Sequence, residues 1–189
     1  MAEYRVLRAV GRESQPWKNG GGSTSDVVVM PDGSTITSFD WRVSIATIDA
    51  DSKFSHYPGV FRALVPLTDR GLTLRTPTGD HHVNQFEIIT FAGEDPVETV
   101  GATEASRDLN LMVRRDAGVG TIIVQRLVGR GSYSAGDGAL LVVVLEGTVA
   151  VTDGTTIGVD DALLVSTDVS IDLVGDAHLA VIRVTPERR

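Results

Sequence analysis

A chain of 189 residues carries 17 basic and 25 acidic side chains, a net charge of −8, and no cysteine. That balance argues against nucleic acid and an anionic membrane surface, since both are bound by clustered Lys and Arg; the missing cysteine excludes disulfides, thiolate catalysis and Cys-ligated metal. No apolar run approaches the roughly 18 residues of a membrane span, and the N-terminal MAEYRVLRAVGRESQ lacks the apolar core of a signal peptide, so a cytoplasmic protein is expected.

Runs rich in Val, Ile and Thr, separated by Gly, Asp and Pro, predict strands in chain order over 5–10, 24–30, 40–48, 61–67, 72–76, 86–91 and 109–114. The second half continues with 120–127, 140–146, 148–152, 162–166, 169–174 and 178–185. Pro31-Asp32-Gly33 and Asp153-Gly154 supply turn chemistry between them. Apolar residues alternate instead of recurring every 3.6 positions, which leaves room for at most a helical turn or two near 104–107. The stretch 77–84 reads as a loop.

A weak internal repeat organises these strands. Phe86-Glu87-Ile88-Ile89-Thr90-Phe91 leads to a strand closed by Gly101, and Ala162-Leu163-Leu164-Val165-Ser166 leads to one closed by Gly175. Two similar all-β units in tandem are therefore expected, as jelly-roll-type barrels over 1–115 and 116–189 with strand exchange between them allowed. In the second copy, Leu145-Glu146-Gly147 followed by Gly158-Val159-Asp160-Asp161 looks like the glycine turn and Asp of a cupin.

Four segments carry candidate chemistry. Pro16-Trp17-Lys18-Asn19-Gly20-Gly21-Gly22 places a wall, a cation and an amide before three glycines whose backbone N–H groups could face an anion. The Lys precedes the glycines, so this is no P-loop. In Trp41-Arg42-Val43-Ser44-Ile45-Ala46, alternation sets Arg42, Ser44 and Ala46 on one face, which lines the interior if the sheet closes. Phe54-Ser55-His56-Tyr57-Pro58-Gly59 turns into a strand opened by Arg62. Asn110, Met112 and Arg114 share a face within 109–114, where an amide and a guanidinium could bind a carboxylate.

Together with Phe91-Ala92-Gly93-Glu94 and Asp108-Leu109-Asn110-Leu111-Met112, these segments resemble, in the same order, motifs of the HutD/Ves family of bacteria. The resemblance covers nearly the whole chain, with its motifs concentrated in 16–115. It implies a bicupin fold, commonly dimeric, associated with histidine utilisation. It also implies a pocket for formylated or acidic intermediates such as N-formylglutamate, serving to restrain pathway flux, with no firmly established catalytic activity.

Adjacent His81 and His82 would point to opposite faces of a strand and cannot share one interior ion, which leaves only a site built from His56 with one of the pair as the less favoured alternative; no metal and no other cofactor is the expectation. The favoured expectation is a metal-free protein, more binder than enzyme, holding a small carboxylate. Its binding residues would be Trp17, Lys18, Asn19, Gly20, Arg42, Ser44, Arg62, Asn110 and Arg114. The alternative is a metal-free isomerase or hydrolase acting on a related acid, with Glu94 or His56 moving the proton. A third possibility is an interaction scaffold with a vestigial pocket.

Overall fold

The computed structural model describes residues 4–187 and contains fifteen strands, with no helix among the described residues. In chain order these are β1 (Tyr4–Leu7), β2 (Ser14–Pro16), β3 (Gly22–Met30), β4 (Trp41–Ile48), β5 (Val60–Pro66), β6 (Leu72–Thr76), β7 (Gly79–Val83) and β8 (Ile89–Ala92). There follow β9 (Glu98–Thr99), β10 (Ser106–Arg114), β11 (Gly118–Ser134), β12 (Ala139–Val151), β13 (Thr156–Ile157), β14 (Ala162–Val165) and β15 (Ser170–Pro186). The all-β class read from alternation is the class that forms.

The chain divides into two compact units: a central one, Glu13–Ala117, and a terminal one that joins the chain's first twelve residues to Gly118 onward. The sequence reading set its boundary at 115/116 and allowed strands to be exchanged. The first strand is placed outside the central unit, with β1 pairing antiparallel to β14 from Tyr4↔Val165 to Leu7↔Ala162.

The central unit has one sheet in the order β2-β3-β4-β10-β5-β8 and a second in the order β7-β6-β9. Ile48, Leu64, Leu72, Leu74 and Val97 form one of its buried clusters, with Trp17, Phe54, Ile89 and Phe91 packed against it. The terminal unit runs β1-β14-β12-β15-β11, with β13 attached to β12. Its core is hydrocarbon throughout its centre: Leu140, Val142, Val144, Leu163, Leu173 and Leu179 are all fully buried. Each strand order is open-ended; none returns to its first strand.

The internal repeat of the sequence reappears as a repeat of pairing. In the central unit β10 lies between β4 and β5, with β8 outside β5; in the terminal unit β15 lies between β11 and β12, with β14 outside β12. Likewise β6 pairs with β7 and β9, while the second half of β12 pairs with β13 and the first half of β15.

Several local expectations are corrected. Segments 140–146 and 148–152 form one strand, β12, because Gly147 bends it instead of ending it. Gly147 has φ +81°, and the register shifts between Val144 and Glu146. A Cβ there would lie 2.2 Å from the Asp176 carbonyl oxygen, so only glycine permits this approach. In the same way 169–174 and 178–185 merge into β15, and 120–127 lengthens into β11. The helical turn near 104–107 is absent: β10 begins at Ser106, and the Arg107 N–H donates to Thr68 Oγ1 at 2.8 Å. The loop over 77–84 contains β7, so His81 and His82 do stand on a strand, opposite Leu74 and Thr73. The strand expected over 86–91 starts only at Ile89, since Phe86 takes φ +66° in a turn closed by Glu87 N–H donating to the Asn84 carbonyl at 3.1 Å. No described helix is long and apolar enough to cross a membrane.

Candidate functional site

A cavity of about 540 Å³ lies in the central unit, and its floor is the polar face of three neighbouring strands. Side chains alternate along a strand, so β4 offers Arg42, Ser44 and Ala46 to one side, and β10 offers Asp108, Asn110 and Met112. Register then arranges them in rows. Met112 sits opposite Arg42 on one side and Arg62 on the other; Asn110 sits between Ser44 and Leu64, and Asp108 between Ala46 and Pro66.

One wall comes from the turn before β3. The Trp17 N–H donates to the Gly22 carbonyl at 2.8 Å, and the Gly20 N–H, at φ +72°, donates to the Trp17 carbonyl at 3.0 Å. The Gly21 N–H donates to Asn19 Oδ1 at 3.1 Å. Trp17 Nε1–H donates to Thr24 Oγ1 at 2.7 Å, which fixes the indole as a wall. The expectation that these glycine N–H groups hold an anion is corrected for Gly20 and Gly21, because both donors are engaged inside the turn. Lys18 and Asn19 line the cavity from this turn, and Lys53, Phe54 and Tyr57 line it from the segment between β4 and β5. Both lysines of the chain thus reach the cavity, and neither has an ion pair among the described residues.

Arg62 is the chemical centre. The residue is 7% exposed, and its Nη2–H donates to Asn110 Oδ1 at 3.0 Å. Its carbon stands 5.0 Å from the Phe54 ring centre and 4.9 Å from that of Phe91, two rings stacked on each other at 6.1 Å. The aromatic faces offset part of the lost hydration of the cation, but burial still pulls Arg62 down to about 10. Asn110 Nδ2–H in turn donates to Asp108 Oδ2. Burial pushes Asp108 up to about 7, against the opposing pull of Asn110, Arg62 and Arg107. At the cavity's other side Arg42 Nε–H donates to Asp26 Oδ1 at 2.6 Å, with its Nη1 3.8 Å from Met112 Sδ.

Seven of the residues singled out from sequence therefore line one cavity: Trp17, Lys18, Asn19, Arg42, Ser44, Arg62 and Asn110. Gly20 is exposed in its turn and does not line it. Arg114 is turned to Asp116, to which it donates at 3.1 and 3.2 Å. Glu94 pairs with Arg115, which holds its carboxyl below the usual range, and His56 is exposed; neither lines the cavity. Among the described residues no group of three or more His, Asp or Glu could hold a metal ion. Sequence reasoning missed, among others, Asp108, Lys53, Phe54 and Tyr57 as lining residues. For Asp108 the signal was there: it lies two positions before Asn110 and so shares its face.

The model of the family described as HutD matches residues 10–182. Protein Ves of Citrobacter koseri is 35% identical over 102 residues, which are 53% of this chain and 52% of that protein. An uncharacterized 21.2 kDa protein in the hutC 3′ region of Pseudomonas putida is 33% identical over 113 residues, 59% of each chain. The chain thus spans little more than half the length of these curated relatives. The solved structure of HutD from Pseudomonas fluorescens SBW25, in a formate condition, is similar with a TM-score of 0.83 at 27% identity, covering 98% of this chain and 100% of that one. YhhW of Escherichia coli shares the fold alone, with a TM-score of 0.71 at 10% identity over 98% and 99% of the two chains.

Proposed function

The chain belongs to the HutD family, and from that membership we propose that it is a metal-free binding protein for a small carboxylate of histidine catabolism. N-formylglutamate is the leading candidate ligand, the central cavity its site, and control of histidine utilisation its purpose. In this reading the two units are two cupin-type modules built on one repeated ladder, and the molecule works in the cytoplasm as a homodimer.

One observation carries the reading: a buried guanidinium, Arg62, lines a cavity that also gathers Arg42 and both lysines of an acidic chain. Guanidinium groups bind carboxylates directionally, and a site that excludes water strengthens that attraction. The similar HutD from Pseudomonas fluorescens was solved in a formate condition, which suits an acceptor of the smallest carboxylate. The enzyme alternative gains no support, because Glu94 and His56 both lie away from the cavity lining.

Calorimetric titration with N-formylglutamate, urocanate and formate tests the proposal. A saturable heat with at least one of them, lost in Arg62→Ala, is the expected result. No heat with any of the three ends it.

A further inference from the structure

Two buried ions in the cavity floor share a single amide and do not touch. Because arginine only donates, the Asn110 side-chain oxygen must face Arg62, and its NH2 must then face Asp108. Asn110 is thereby a fixed spacer between the charged ends of two buried residues, Arg62 at 7% exposure and Asp108 at 1%. Each ion is left incompletely matched: Arg62 Nε–H and Asp108 Oδ1 are enclosed with no hydrogen-bond partner. The residues flanking Asp108 across the sheet, Ala46 and Pro66, offer its side chain no donor. A buried ion pair held at one remove, with an orphaned atom at each end, is a costly arrangement to keep charged.

We propose that Asp108 is the exchangeable counter-ion of Arg62: an entering carboxylate takes over the pairing, and Asp108 withdraws from the charge balance by taking up one proton. The inference rests on the carboxylate-binding reading above and specifies how that site is regulated. The proton comes from solvent buffer, and one O–H bond forms at Asp108 Oδ1. That oxygen accepts nothing at present, while Oδ2 keeps its bond from Asn110, so protonation breaks no existing contact. Two carboxylates sharing a low-dielectric site cannot both stay ionised easily, so the ligand itself drives the proton on. Burial has already raised Asp108 to about 7, close to the point where a small further push changes its state.

The surrounding charges leave this titration a single address. From β4 comes Arg42, engaged with Asp26 of β3; from β5 comes Arg62; from β10 itself comes Arg107. Lys18 of the glycine turn and Lys53 and Tyr57 of the following segment complete the set. No histidine lines the cavity, and Asp108 is its one lining carboxylate. By linkage the effect is reciprocal: if anion binding protonates Asp108, ionising Asp108 must weaken the anion.

Calorimetry decides the matter with N-formylglutamate as the probe, since its carboxylates do not titrate between pH 6.5 and 9. Titrations at pH 7.5 in triethanolamine and in Tris, two cationic buffers whose ionisation heats differ, count the protons exchanged. About three-quarters of Asp108 is ionised at pH 7.5 before binding, so uptake of roughly 0.5 to 0.8 proton per ligand is expected, with affinity falling toward about tenfold per pH unit above pH 8. In Asp108→Asn the heat becomes independent of buffer and the affinity flat with pH. Wild-type binding with equal heats in both buffers and a flat pH profile overturns the proposal, as does proton uptake that survives in Asp108→Asn. Should that variant not fold, the wild-type buffer series decides alone. Heat without proton uptake defeats this inference only; no heat with any carboxylate of the panel defeats it together with the function it rests on.

Discussion

Gly21 lies against the Ser52 side chain: a Cβ at position 21 would fall 1.9 Å from Ser52 Oγ where that hydroxyl now stands, and 3.2 Å from Ser52 Cβ. The Ser52 backbone is held in place, because its N–H donates to Thr99 Oγ1 at 2.8 Å and its carbonyl accepts the Thr99 N–H at 2.9 Å, so relief has to come from its hydroxyl. The Gly21 carbonyl in turn accepts the Asp49 N–H at 2.9 Å. The turn that presents Trp17, Lys18 and Asn19 is thus clamped from beneath. Gly21→Ala is expected to cost about 1–3 kcal/mol in urea unfolding, as overpacking does, and Ser52→Ala in the same chain should recover most of it by removing Oγ. Gly22→Ala differs, since its Cβ would meet the Thr47 carbonyl oxygen at 2.2 Å. No side-chain substitution at position 47 should rescue it.

Arg62→Lys keeps the charge and loses the plane. A lysine cannot reproduce both the bond to Asn110 and the contact over Phe54 and Phe91. Carboxylate affinity measured by calorimetry should fall by about tenfold or more, in line with the loss of one charge-assisted hydrogen bond. Retention of full affinity would place the anion elsewhere than on Arg62.

Asp108 also predicts how stability depends on pH. Its folded value, about 7, lies above its ordinary 3.8, so between these values the folded chain holds a proton that the unfolded chain has released. Stability therefore falls as pH rises from about 4 to about 7 and levels off above, for a total on the order of 4 kcal/mol at this site. Asp80 and Asp116, held low by Arg75 and Arg114, act in the opposite sense, and only as pH drops below about 4. Denaturant midpoints of Asp108→Asn should lack the decline between pH 4 and 7 that the wild type shows.

In the terminal unit Asp161 fastens the first strand. Its Oδ1 accepts the Ala9 N–H at 2.7 Å, and its Oδ2 accepts from Arg8 at 2.9 Å and from the Gly158 N–H at 3.2 Å. Asp161→Ala leaves two backbone donors unmatched and should cost about 1–3 kcal/mol. Hydrogen exchange should show the loss first in the amides of β1.

The ladder was largely legible because alternation is a property of sequence alone. Spacing sets Arg42 with Ser44 on one face of one strand and Asn110 with Met112 on one face of another, and all four line one cavity. What escaped depends on long-range register. Arg114 shares the face of Asn110 by count, yet Asp116 draws it away at the strand end. Lys53, Phe54 and Tyr57 come from an irregular segment where no period predicts direction. Gly147 signals a turn equally well whether the chain reverses or only bends; the difference is made by Asp176, which no local pattern reveals. Strands of two or three residues, such as β2, β9 and β13, are too short for alternation to show.

The repeated pairing scheme has a consequence for how the molecule tolerates change. Where β10 and β5 present Asp108, Asn110 and Arg62, the corresponding β15 and β12 present Leu179, Val181, Val142 and Val144, all fully or almost fully buried. One scaffold of backbone hydrogen bonds thus has two fillings, hydrocarbon in one copy and ionic in the other. Variation in the hydrocarbon copy is expected to register as a change in melting temperature. On the carboxylate-binding proposal, variation in the ionic floor of the other copy registers also as a change in which anion the cavity prefers, and at what pH, so ligand choice can drift without touching the hydrocarbon copy.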